Sequence, residues 1–205
     1  MRKIIYTIGH STHPAEKFIE LLKRHEITAV CDVRSSPYSQ FNPQFNRETI
    51  QSELKKHGVA YVYLGKELGP RSDDPGCYEN GKVQYDRLAK TDLFHEGIRR
   101  AKEGMKSYRI ALMCAEKDPI MCHRTILVCR TLAADGIGVR HILDDGAIEE
   151  HGNAMVRLRL VLKLPETDLF NSPEQMLVRA YDLQGRKIAH VKEEKTGPGE
   201  GRGVL

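Results

Sequence analysis

Five short apolar runs constrain this chain more than any other feature: Ile4 to Ile8, Thr28 to Val33, Val59 to Leu64, Ile110 to Cys114 and Val139 to Leu143. They alternate with stretches of helical periodicity, the pattern of βαβ units around a parallel sheet. The first helix starts near Pro14 and turns Phe18, Leu21 and Leu22 to one face. The second starts near Asn46, carries Ile50 and Leu54 inward, and ends at Gly58. Two more span about Tyr85 to Glu103 and Pro119 to Ala134. With crossovers of the usual right hand, the expected fold is α/β, a doubly wound three-layer α/β/α sandwich on a mostly parallel five-stranded sheet.

At 205 residues and 40% hydrophobic content, the chain can bury one sizeable core and still carry an appendage. Residues 1–146 hold the alternating units. Residues 147–191 read as an extension, with an amphipathic helix over 149–163 and a hairpin over 176–191 around Gln184-Gly185. Residues 192–205, glycine-rich and charged, read as a disordered tail. Gly65 to Gln84 reads as a long polar loop. The apolar run after the basic N-terminus is too short for a signal peptide, and nothing approaches the roughly 20 apolar residues of a membrane span. Five cysteines, an odd number, then suggest free thiols in a reducing compartment, and the expected location is the cytoplasm. A net charge of +4 favours anionic partners only slightly.

Consecutive turns on one edge of a parallel sheet face the same cleft. His10 and Ser11 follow the first strand, Asp32 and Arg34 end the second, and Cys114 and Glu116 end the fourth. Cys122, His123 and Arg124 open the helix after it. Such convergence marks a candidate catalytic site. Glu116 and Asp32 are its candidate bases or nucleophiles, His10 and His123 its proton donors, Cys114 and Cys122 its thiols, and Arg34, Arg124 and Ser11 its substrate-binding groups. Structural roles compete. Asp32 could simply pair with Arg34, Arg124 could clamp Glu116 or Asp32, and Cys122, Ile126, Cys129 and Ala133 share the buried stripe of a helix. Cys114, at a strand end before a helix N-terminus, is the thiol expected to be activated. Asp118-Pro119 reads as that helix's cap and first residue.

Cys114 lies ten residues before Arg124, which is unlike the tight cysteine-to-arginine loop of tyrosine phosphatases and rhodaneses. No two cysteines are separated by two residues, which removes thioredoxin-type chemistry. Cys114, Cys122 and His123 with His10 could form a zinc site, but their spacing is irregular for one, so no metal or other cofactor is expected.

These same residues carry a resemblance. Thr7-Ile8-Gly9-His10-Ser11, Asp32-Val33-Arg34 with Pro37 and Phe41, Tyr63-Leu64-Gly65, Leu68-Gly69, Cys114-Ala115-Glu116 through Cys122-His123-Arg124, and His141-Ile142 together resemble the DUF488 family over roughly residues 3–146. The resemblance implies an α/β domain with His10, Asp32, Arg34, Cys114, Glu116, Cys122, His123 and Arg124 at family motif positions. It implies no particular reaction.

The leading expectation is a hydrolase or transferase that binds a phosphate-bearing nucleotide or nucleic acid through Arg34 and Arg124 and uses carboxylate and histidine acid–base chemistry. A second reading gives the chemistry to Cys114 as a thiolate or redox centre, with Cys122 resolving it. A third is a nucleic-acid or protein binding module built on the tail and the Phe41 to Phe45 loop, whose aromatics could stack on bases or pack on the sheet. Membrane association is not expected.

Overall fold

The computed structural model describes residues 3–192. Its main sheet contains β1 (Ile4–Gly9), β2 (Ala29–Asp32), β3 (Ala60–Tyr63), β6 (Ile110–Cys114), β7 (Gly138–Ile142) and β8 (Ile148–Glu150), in the order β3-β2-β6-β1-β7-β8. The first five run parallel, as expected, and β8 adds a sixth strand antiparallel to β7. The helices are α1 (Ala15–Arg24), α2 (Arg47–Lys56), α3 (Gly65–Leu68), α4 (Tyr85–Leu88), α5 (Asp92–Gly104), α6 (Arg130–Ala134), α7 (His151–Val161) and α8 (Pro173–Ile188). Among the described residues no helix is long and apolar enough to cross a membrane.

Strand alternation divides the core. Ile110, Leu112 and Cys114 of β6 face one side, among Phe94, Ile98, Leu127, Val128 and Leu132. Ala111 and Met113 face the other, with Phe18 and Leu22 of α1 and Ile50 and Leu54 of α2. The chain leaves β1 toward α1 on this second side and leaves β6 toward the first. The ends of these two adjacent strands are therefore where the winding reverses, the place where open α/β sheets form a crevice.

Several boundaries differ from expectation. The 85–103 helix is two, broken at Thr91, whose side chain caps α5 by accepting from the Phe94 N–H. The Gly65 to Gln84 stretch is ordered around α3 and a short hairpin, β4 (Tyr78–Glu79) with β5 (Lys82–Val83), because Leu68, Cys77 and Val83 are buried in the core. No hairpin forms over 176–191. Ser172 and Gln175 make a capping box with Pro173 at the first turn, and the helix α8 runs through Gln184-Gly185. Gly185 is tolerated there because it lets α8 approach Tyr85: an added Cβ would lie 3.3 Å from that ring. The tail assigned to 192–205 falls outside the described residues apart from Lys192.

α7 and α8 pack Ala154, Met155, Leu158, Ala180 and Tyr181 against Ile120 and Ile126. A buried chain of hydrogen bonds ties them to the sheet: Thr7 Oγ1 to His141 Nδ1 at 2.8 Å, His141 Nε2 to His151 Nδ1 at 3.0 Å, and His151 Nε2 to Tyr181 Oη at 2.7 Å. Burial pushes both imidazoles down, His141 well below the usual histidine range and His151 to about 4.

Candidate functional site

The crevice between β1 and β6 is closed by a tight backbone approach. Gly9 faces the turn that follows β6 so closely that an added Cβ would lie 2.0 Å from the Glu116 carbonyl oxygen. The same carbonyl accepts from Arg124 Nη1 at 2.7 Å, and Arg124 Nη2 reaches the Lys117 carbonyl at 3.3 Å. Arg124 is 0% exposed. It bonds the backbone of the turn and makes no hydrogen bond to the Glu116 carboxylate.

No single helix spans 119–134. Asp118 caps a three-residue 3₁₀ turn, Pro119–Met121, by accepting from the Ile120 N–H, and Arg157 holds the same carboxylate from α7. Cys122 then adopts an extended conformation, φ −132° and ψ 139°. A π-helical stretch, Arg124–Cys129, follows and runs into α6. Cys122 and His123 both turn toward Cys114, which an uninterrupted α-helix would not arrange. π-Helical segments are uncommon and recur at functional sites.

The result is a compact cluster. One donor atom from each of Cys114, Glu116, Cys122 and His123 lies within 4.8 Å of all the others. His123 Nδ1 sits 3.7 Å from Cys114 Sγ and 3.8 Å from Cys122 Sγ. Its Nε2–H donates to the Val33 carbonyl at 3.0 Å, so in the neutral ring Nδ1 presents its lone pair to both sulfurs. Cys122 Sγ accepts from the Arg124 backbone N–H at 3.4 Å and lies 2.9 Å from Glu116 Oε2, a contact that needs one proton between the two groups. Cys114, Cys122 and His123 are at most 4% exposed, whereas the Glu116 side chain reaches solvent.

Electrostatics separates the two thiols. Burial raises the Cys114 thiol well above its ordinary value, and its hydrogen bond to Cys122 raises it further. Burial opposes ionisation at Cys122 too, but the Cys114 hydrogen bond and the charges of Arg124 and His123 outweigh it and hold that thiol well below the usual range. Of the two, Cys122 is the thiol whose ionised form the neighbouring charges favour. The first helical element after Cys114 is a three-residue 3₁₀ turn, too short to supply a helix field. Burial and the neighbouring Cys122 raise the Glu116 carboxyl. At His123, burial is outweighed by the Cys122 charge, which raises the imidazole.

The remaining candidates form a second group on the opposite face of the sheet. Asp32, 0% exposed, accepts from Arg34 Nε at 2.9 Å, Arg34 Nη2 at 2.6 Å, the Arg34 backbone N–H at 3.1 Å and Tyr61 Oη at 2.8 Å. Arg34 also donates to the Phe45 carbonyl and to His10 Nε2. His10 stacks on Phe45 and donates through Nδ1 to the Ser11 carbonyl, and burial with the nearby Arg34 charge pushes it down to about 4. Asp32, Arg34 and His10 therefore satisfy one another. Ser11 sits beside them at φ 49°, its N–H donating to the Ala115 carbonyl. Of the loop aromatics, Phe45 packs in the core and Phe41 is 93% exposed.

The domain of unknown function DUF488 matches residues 14–131, more than half the chain. The chain belongs to the DUF488 family. The match includes Asp32, Arg34 and the whole Cys114 to Arg124 segment, and it begins after Gly9-His10-Ser11. No curated protein and no solved structure matches the chain. Two parts of this DUF488 site escaped the sequence reading: Tyr61, the fourth donor to Asp32, and the Val33 carbonyl that sets the His123 tautomer. A tyrosine in a strand signals only packing, and a carbonyl has no sequence signature.

Proposed function

We propose that the protein is an enzyme of the hydrolase or transferase type whose acid–base group is Glu116, acting at the crevice where β1 and β6 end. The observation that supports this is the condition of the competing groups. Asp32, Arg34 and His10 are bonded to one another, and Arg124 is bonded to the backbone. Glu116 is the candidate carboxylate that both reaches solvent and touches the thiol–imidazole cluster. A carboxylate so placed can take a proton from a nucleophile and return it to a leaving group. A phosphate-bearing substrate would find neither Arg34 nor Arg124 free, so its anchors lie elsewhere on the surface.

The test is a panel of ester, amide, nucleoside and phosphoester substrates, comparing the wild type with Glu116→Gln and Cys122→Ser. Loss of about 10²-fold to 10⁴-fold in turnover for a folded Glu116→Gln protein is expected. Turnover that survives Glu116→Gln but disappears in Cys122→Ser would transfer the role to a thiol nucleophile.

A further inference from the structure

We propose that Cys114, Cys122 and His123 bind a zinc-class divalent metal ion, with the fourth position left to a water beneath Glu116. With metal–sulfur bonds of about 2.3 Å and metal–nitrogen bonds of about 2.0 Å, a tetrahedral site sets sulfur and nitrogen ligands about 3.6 Å apart. The two sulfur–Nδ1 distances, 3.7 and 3.8 Å, match that edge. Glu116 Oε2, 2.9 Å from Cys122 Sγ, is nearer than the roughly 3.5 Å a tetrahedral oxygen ligand would keep. Both sulfur–nitrogen edges therefore stand at ligand spacing, the two sulfurs lie within 4.8 Å of each other, and the carboxylate stands beside the remaining corner.

The surroundings suit a ligand set. The Nε2–H of His123 donates to the Val33 carbonyl, which orients the ring and commits Nδ1 to an acceptor's role. The Arg124 N–H supports Cys122 Sγ as amides commonly support metal thiolates. Two thiolates balance a divalent ion, and the buried Arg124 guanidinium balances Glu116, so the loaded cluster carries no net charge. Two sulfurs and an imidazole select zinc and similar borderline-soft ions over magnesium or calcium. The irregular sequence spacing argued against the set, but Cys114 ends a strand and Cys122 returns to it after the 3₁₀ turn, so spacing along the chain does not measure their separation. The role given to Glu116 rests on the acid–base reading above; the ion itself does not.

The test uses the full chain without an affinity tag, stripped by a chelator under reducing conditions and titrated with cobalt(II). One equivalent should produce thiolate-to-cobalt charge transfer and the intense visible bands of tetrahedral cobalt, and one equivalent of zinc should abolish them. Cys122→Ser and His123→Ala should each weaken binding by about 100-fold or more, since losing a ligand costs at least what losing its support costs. Glu116→Gln should keep the spectrum. If the ligand variants do not fold, alkylation of the wild type answers instead: zinc should protect Cys114 and Cys122. Absence of the charge-transfer band in wild type, a band unchanged in folded Cys122→Ser, or no protection by zinc would each overturn the site. Loss of the spectrum in Glu116→Gln would overturn the three-ligand assignment. A failed titration with an inactive Glu116→Gln removes the ion and leaves the acid–base reading; normal titration with an active Glu116→Gln does the reverse.

Discussion

Replacing Asp32 by asparagine separates a structural carboxylate from a catalytic one. The side chain keeps its shape, but its charge disappears and one of its two acceptor oxygens becomes a donor. In the native protein those oxygens receive three buried Arg34 N–H groups and the half-buried Tyr61 hydroxyl. After substitution one oxygen still accepts, but the Arg34 guanidinium, 6% exposed, loses its opposite charge and one of its two side-chain bonds to residue 32, keeping the Phe45 carbonyl and His10 Nε2 as its other partners. Breaking a buried pair in this way costs about 3–5 kcal/mol. At roughly 2–4 °C per kcal/mol for a chain of this size, the melting temperature should fall by about 6–20 °C. Urea titration followed by circular dichroism measures the loss directly. Adding Arg34→Met to Asp32→Asn should recover part of it, because the unpaired charge then leaves the interior. An Asp32→Asn protein within about 0.5 kcal/mol of wild type, the range of ordinary surface changes, would refute the structural role.

Gly9→Ala would drive a Cβ into the Glu116 carbonyl, so a loss of about 2–3 kcal/mol by urea titration is expected, together with weakened cobalt binding; a neutral effect would contradict the contact. Arg124→Lys can reach one of the two carbonyls but not fork to both, and should cost about 2–3 kcal/mol in the same assay. For His151, the folded value near 4 lies below the unfolded 6.5, so the unfolded chain binds protons first as pH falls. Stability should drop progressively from pH 6.5 toward pH 4, by about 3 kcal/mol for this group, and urea midpoints should show a shallower slope in His151→Gln.

The strand–helix alternation was legible because period and length are local properties, and all five parallel strands lie where the apolar runs are. Gln184-Gly185 misled because a glycine in a helix resembles a turn unless one knows that Tyr85 lies against it. At the site, the members of the cluster and their convergence on one cleft were legible from the strand ends, yet the separation of Asp32, Arg34 and His10 into a second group was not. Helical periodicity from Pro119 to Ala134 puts Cys122 on a core stripe, whereas the chain breaks at Cys122, and Arg124 just after the break bonds the turn after β6, a contact with no local signal. The pairing of Asp32 with Arg34 was one of two open readings; the structure shows the pair, together with the Tyr61 hydroxyl and the Phe45 carbonyl, which carry no signal in the sequence.

The π-helical stretch Arg124–Cys129 also sets how this protein can vary in length. A wide turn holds one residue more than an α-helical turn would. Deleting a single residue there would let the segment relax to ordinary winding. Because the wide turn absorbs its extra residue locally, the flanking register would be kept, and the change would fall on the residues within the turn, Arg124 and its bonds to the Glu116 and Lys117 carbonyls first. Among relatives that keep the cluster, this segment should hold its residue count even where the surface turn around 70–76 gains or loses positions.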